Sequence, residues 1–512
     1  MTRLARVGAA AAVCATTLLA SLVVFPGKAI SQTPACTRGS FKDFHNQGNG
    51  APPPDYKGQV FDVSQDYPNT LPPEESYPWL AVPVSTDGSL TPENAAAYTQ
   101  ALRDYAYAGN IDNDWVVQKN PVRKWYDAPW MDVTKDGREF VHGLTHEIDA
   151  QASQHTLGPQ QKNNAQTWAV AHFNDRGGWA IGQMWCDPQN PDPDKLNPIA
   201  GHPNAMPNGT MIFKLLYSTA SDADAPFLAG SFPWTADIYA KTGDPAEDPA
   251  RTLTQVRVLQ MDVAVRDDRF HTGWAFGTFT YNTAAPGNGP FDRMVAVGLQ
   301  WGNDPGLTPD MIQKEGRPLK EAWINPSPLS KDLPAQHLGW GGRLAGPLDN
   351  PQSSCMSCHQ TAGYPVEPII AGIATSPEFP WAPPSIPPLA TPSDQVKLNW
   401  FLDVPAGVPW SARQTHSLDY SLQLSMGLSR FYAAKCQEEA LEENYSPRGA
   451  EQASGRETAI DNCPKLAAKV AAKSNKKSGG NDVPIWLVSV IAALVLMVGV
   501  VAGRRQQRRL SS

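Results

Sequence analysis

The sequence predicts an α+β protein. An antiparallel, β-rich, sandwich-like domain comes first, then a small helical, proline-rich segment, then one helix able to cross a membrane. Three observations carry this. Between residues 166 and 301, six stretches alternate with period two. The 48 prolines limit long helices. Val483–Gly503 then runs 21 residues without a charge, enough to span a bilayer.

Residues 1–31 have the layout of a secretory signal: Arg3 and Arg6, an apolar run from Val7 to Phe25, and small residues at Ala29–Ser31. Residues 32–130 form an arm rich in Pro, Gly and Asp, ending in a helix. In TPENAAAYTQALRDYAY, Thr91 is the cap, Pro92 takes the first helical position and Glu93 suits the positive end. Ala97, Leu102 and Tyr105 are its expected buried stripe.

Residues 131–305 are the β-rich domain. TWAVAHF, GWAIGQMWC, GTMIFKLLY, VRVLQMDVAV, GWAFGTFTY and MVAVGLQW are the expected strands. In the fourth, Leu259, Met261, Val263 and Val265 share a dry face, and Gln260 and Asp262 share a polar one that could line a site. Residues 306–443 begin with a short helix at Thr308. A Gly-rich run and the stretch SSCMSCHQTAG follow. Nine prolines between Pro365 and Pro392 make a stiff extended segment. Helices are expected near 393–402 and 417–443. Residues 444–482 read as a polar tether, 483–503 as the membrane helix and 504–512 as a basic cytoplasmic tail. The bulk of the chain is thus expected outside the cytoplasm, held to the cell membrane by a single pass.

The formal net charge is −8. Setting aside three cations of the signal and four arginines of the tail leaves 35 Lys+Arg against 50 Asp+Glu, or −15, outside. Such a surface repels nucleic acid. Of seven cysteines, Cys14 leaves with the signal and Cys355 and Cys358 belong to the motif. Cys36, Cys186, Cys436 and Cys463 remain, with Cys36–Cys186 and Cys436–Cys463 the expected disulfides.

Cys355, Cys358 and His359 form C-x-x-C-H. A zinc site wants a second cysteine pair, and a redox dithiol wants a βαβ frame; neither is near. In an exported chain the pattern suits one covalent haem c. Two thiols one helical turn apart can bond the porphyrin edge, and the adjacent imidazole can take the iron. Arg343, twelve residues upstream, could pair with a haem propionate. His142 and His146 with Glu147 could hold a metal if helical, but Gly143 argues against a helix there. His271 could line the pocket or bond to backbone.

SSCMSCHQTAG resembles the c-type cytochromes. The resemblance implies Cys355 and Cys358 as thioether links and His359 as proximal ligand. Met426 is the candidate sixth ligand, or else a core residue; His416, His337 or an open position are the alternatives. The order of a β-rich body followed by C-x-x-C-H also resembles the lysine-crosslinked c-type cytochromes, which oxidise hydroxylamine or bind nitric oxide. That resemblance implies Lys214 as a haem-bonding lysine. The chain departs from that family in its length and its Pro-rich insert.

The leading expectation is an anchored monohaem carrier of electrons. Its redox partner would be another cytochrome, a quinol-linked complex or an oxidase. The alternatives are an open-site haem oxidoreductase acting on a small nitrogen or peroxide species, and a haem-linked ligand-binding or sensor protein.

Overall fold

The longest strand organises the sheet. In the computed structural model, β5 (Arg251–Arg266) pairs antiparallel with β3 (Met211–Ser218), β4 (Pro233–Tyr239) and β6 (Trp274–Tyr281). The sheet continues through β2 (Thr167–Phe173) to β1 (Thr145–His146) on one side. On the other it runs through β7 (Met294–Gln300) to β8 (Ala322–Ile324). The structure describes Cys36 and residues 64–442, apart from 75–76, 132–143, 148, 200–203, 240–250, 327–337, 366–397 and 412–413.

Among these residues the β-rich domain is one eight-stranded antiparallel sheet. The antiparallel, β-rich character expected of the domain is present, with the eight strands in one sheet. Alternation along the strands decides which residue goes where. Met211, Phe213 and Leu215 of β3, Leu259, Met261, Val263 and Val265 of β5, and Ala275 and Phe279 of β6 enter one core. That core is covered by α1 (Pro92–Tyr107). Thr91 Oγ1 caps α1 by accepting from Asn94 N at 3.2 Å. Its buried stripe is Ala95, Tyr98, Leu102, Tyr105 and Ala106, whereas Ala97, expected inside, is exposed.

The opposite sheet face meets a second core, which holds Ile212, Ala264, Trp274 and Phe276 of the sheet. Residues 356–431 share it through Met356, Ala362, Tyr364, Leu418, Leu424 and Phe431. The described residues around Met356–Tyr364 and Leu418–Phe431 are therefore packed against the sheet.

The stretch GWAIGQMWC, expected as a strand, is instead most of α2 (Asp175–Met184), with its last residues just beyond. Asn174 caps α2 by accepting from Gly177 N at 3.2 Å, and Asp175 occupies the first turn. Residues from Arg176 to Met184 are all buried, so no polar face marks the helical period in the sequence. A Cβ on Gly178 would lie 2.6 Å from the Tyr126 ring, so glycine permits the close approach.

The short helix α3 (Pro309–Gln313) starts as expected, with Thr308 accepting from Met311 N. The next, α4 (Cys355–His359), carries the motif. β9 (Gly363–Tyr364) and β10 (His416–Ser417) form a small antiparallel pair. The last helix, α5 (Leu422–Glu442), begins later than expected because His416–Ser417 is spent on that pair.

Cys36 and Cys186 form a disulfide, with Cα atoms 5.4 Å apart. The side chain of Cys436, and Cys463, lie outside the described residues, as do His142, His337, the signal segment and Val483–Gly503. Among the described residues no helix is long and apolar enough to cross a membrane.

Candidate functional site

Four residues singled out in the sequence meet in one cleft. Cys355, Cys358 and His359 line it from α4, and Lys214 lines it from β3. Its empty space is about 780 Å3, with the open solvent at its mouth included. Glu147, Asp262, Phe276, Thr278, Asp349 and Leu422 complete most of the wall.

The motif helix is one turn long, so it needs outside support. Ser354 Oγ accepts from Ser357 N, and Ser357 Oγ accepts from Ser354 N, a reciprocal cap. Gln300 of β7 accepts from Met356 N at 3.2 Å and donates to Ser354 Oγ at 3.2 Å. Asn303 accepts from Ser354 Oγ and donates to Gln360 Oε1. Trp400 Nε1 donates to Ser357 Oγ at 3.0 Å. The network is buried and runs from sheet to motif, so the turn keeps a fixed place relative to β6 and β7.

His359 Nδ1 lies 2.9 Å from the Tyr420 carbonyl oxygen. A carbonyl can only accept, so Nδ1 carries the proton and Nε2 is left with its lone pair. Burial holds the imidazole neutral, its pKa lowered to about 4. The Tyr420 carbonyl is positioned by a left-handed turn at Asp419 (φ 48°) and Tyr420 (φ 64°). The Asp419 carboxylate holds that turn by accepting from Met206 N, Trp274 Nε1 and Gly407 N. Cys355 and Cys358 carry free thiols. Burial pushes both up, Cys358 to about 12, so neither is an activated nucleophile. Two unionised thiols, a neutral imidazole with a fixed tautomer and a cleft beside them fit the donor set that covalent haem needs.

The opposite wall is charged. Lys214 stands across from Asp262 on the neighbouring strand and lies 3.7 Å from Glu147 Oε1. Burial opposes its charge, but Glu147, Asp262 and Asp349 together raise its pKa. Gln260 Nε2 donates to both Asp262 oxygens at 2.9 Å and to Asp349 Oδ2 at 3.1 Å. Burial and the nearby Asp349 raise Asp262 to about 7. Thr278 Oγ1 donates to Asp262 Oδ1 at 2.9 Å and sits 3.5 Å from Cys355 Sγ. Of the polar face read from Gln260 and Asp262, Asp262 is cleft wall and Gln260 stands behind it, bonded to Asp262 and Asp349.

Other expected residues fall elsewhere. Arg343 has no exposed surface and is spent on carbonyls. It donates to Asn303 O, Trp340 O, Asp304 O and Leu307 O at 2.8–3.1 Å, and lies against the Trp340 and Phe401 rings. It is not a cleft residue, so the propionate role expected of it finds no support in this geometry. Met426 packs against the second core and is not among the cleft residues. His416 is paired with Asp194 at 2.9 Å. His146 lies on β1 beside Asp149, and its neighbour Glu147 reaches Lys214. His271 is outside the cleft, 3.1 Å from Asp403.

Sequence reasoning did not single out Glu147, Asp349, Thr278 or Tyr420 for this site. Only Asp349 carried a nearby signal, six residues before Cys355. The others come from separate strands and turns that only the register brings together. Comparison with protein-family models, with curated proteins and with solved structures returned no match.

Proposed function

We propose that the chain binds one haem c through Cys355, Cys358 and His359, and that its cleft would admit a small molecule to that haem. The observation that carries this is the His359–Tyr420 contact beside two free thiols in a single cleft. Bound there, haem would supply one-electron chemistry and an iron able to bind a small ligand. Cys355 and Cys358 would tether it, and the Tyr420 carbonyl would orient the His359 ring.

An open-site oxidoreductase acting on a small nitrogen or peroxide species is favoured over a simple electron carrier by the cleft wall. Among the described residues that line it, His359 is the single imidazole and no methionine is present. Lys214, Glu147, Asp262 and Asp349 instead offer groups that can hold or accept protons beside a bound molecule. An electron carrier gains nothing from such groups, which favour small-molecule chemistry.

The test is to express the chain with a cytochrome c maturation system and measure haem content by the pyridine haemochrome spectrum. One haem per chain, lost in Cys355→Ala, is expected. The reduced protein should bind carbon monoxide with a clear Soret shift, and Met426→Leu should leave its spectrum unchanged. A protein without covalent haem would end the proposal. Haem indifferent to carbon monoxide in the wild type and responsive in Met426→Leu would restore the electron-carrier reading.

A further inference from the structure

We propose that His271, Glu321 and Asp403 form a binding site for a divalent transition-metal ion of the zinc or manganese type, separate from the cleft. The three residues come from the β5–β6 loop, the residue before β8 and the segment after Phe401. One atom of each converges: His271 Nε2 lies 3.1 Å from Asp403 Oδ2 and 3.5 Å from Glu321 Oε1. All three donor atoms fall within 4.8 Å of one another. Bonds of about 2.1 Å around a tetrahedral or octahedral ion place neighbouring donors roughly 3.0–3.4 Å apart. The His271–Asp403 edge, 3.1 Å, falls in that range, and the His271–Glu321 edge, 3.5 Å, lies just above it.

The second oxygen of each carboxylate is already occupied by backbone. Glu321 Oε2 accepts from Asp304 N at 2.6 Å, and Asp403 Oδ1 accepts from Asn303 N at 2.7 Å. Each carboxylate is thereby oriented before an ion arrives, as outer hydrogen bonds orient metal ligands. His271 keeps 45% of its side-chain surface, so the site has an entry path and room for water ligands.

The local charge points the same way. Asp304 adds a third carboxylate, accepting from Lys320 N and Glu321 N. The nearby cation, Arg343, is committed to carbonyls. One imidazole with two carboxylates suits borderline or hard divalent ions rather than soft ones such as Cu(I).

The experiment is calorimetric titration of ZnCl2 and MnCl2 into chelator-treated full-length protein. Cys355→Ser/Cys358→Ser protein serves as the background, so that motif thiols cannot bind the ion. One ion per chain is expected. His271→Gln and Asp403→Asn should each weaken binding at least tenfold while circular dichroism stays unchanged. If either variant misfolds, Glu321→Gln takes its place. A background protein with no saturable site, or variants that bind as tightly as it does, would overturn the assignment and leave the trio a plain ion-pair cluster.

Discussion

Lys214 and Asp262 face each other across the β3–β5 ladder, and both side chains line the cleft that holds the Cys355–His359 turn. Three carboxylates share this one lysine. Its side chain keeps 29% of its surface, so solvent screens part of the interaction. Lys214→Met should still cost about 1–2 kcal/mol at pH 8, because Glu147, Asp262 and Asp349 lose their common counter-charge. The cost should shrink near pH 5.5, where Asp262 holds its proton. Urea unfolding at the two pH values measures both, and an equal loss at both would show that the lysine acts through packing alone.

Asp262 itself sets a pH dependence. Its folded pKa, about 7, lies above the ordinary value of 3.8, so between those values the folded chain holds a proton that the unfolded chain has released. Stability contributed by this group is therefore present at low pH and declines as pH rises towards 7, by at most about 1.4 kcal/mol per pH unit. Asp262→Asn removes that decline. Relative to the wild type, the variant should gain up to about 2–3 kcal/mol between pH 5 and pH 7 and nothing further above pH 7.5. A flat difference across this range would mean that Asp262 is ionised throughout.

The motif turn owes its place to Ser354. Its hydroxyl caps Ser357 N, receives a hydrogen bond from Gln300 and donates to Asn303. Ser354→Ala removes a cap and takes one partner from each of the Gln300 and Asn303 amides, which keep others, and should cost about 1 kcal/mol. Thermal unfolding reads the loss. Haem content per chain, measured on the same samples, should fall as well, since His359 sits at the far end of the same turn.

How far the sequence reached follows from which patterns survive burial. Alternation in VLQMDVAV separated Leu259 and Met261 from Gln260 and Asp262 correctly, since one sheet face is apolar and the other lines the cleft. Thr91, Pro92 and Glu93 marked the start of α1 because capping is local chemistry. The same logic failed at GWAIGQMWC. A helix buried on all sides has no polar stripe, and the cap that starts it, Asn174, stood at the end of a strand pattern. Met426 drew attention as a methionine downstream of the motif, and Lys214 through a resemblance of strand order. The register put Lys214 opposite Asp262 in the cleft and left Met426 packed in the second core. Nothing in the order of residues distinguished them. The Tyr420 carbonyl was invisible altogether, because backbone acceptors carry no sequence mark.

Arg343 tests the difference between a cofactor contact and a structural one. Its guanidinium is buried and bonds four carbonyls, three in the 303–307 loop and one at Trp340, a task its planar fork suits and a lysine ammonium cannot match. Burial already lowers its pKa to about 10, and a more strongly hydrated ammonium would be dearer still to bury. Arg343→Lys should therefore destabilise the chain by about 3–5 kcal/mol, the range for breaking a buried charged network. The guanidinium lies against Trp340 and Phe401 rather than in the cleft, so any folded fraction of the variant should keep the wild-type visible spectrum. A variant with unchanged melting temperature and a shifted spectrum or potential would instead restore the propionate role that the spacing to Cys355 suggested.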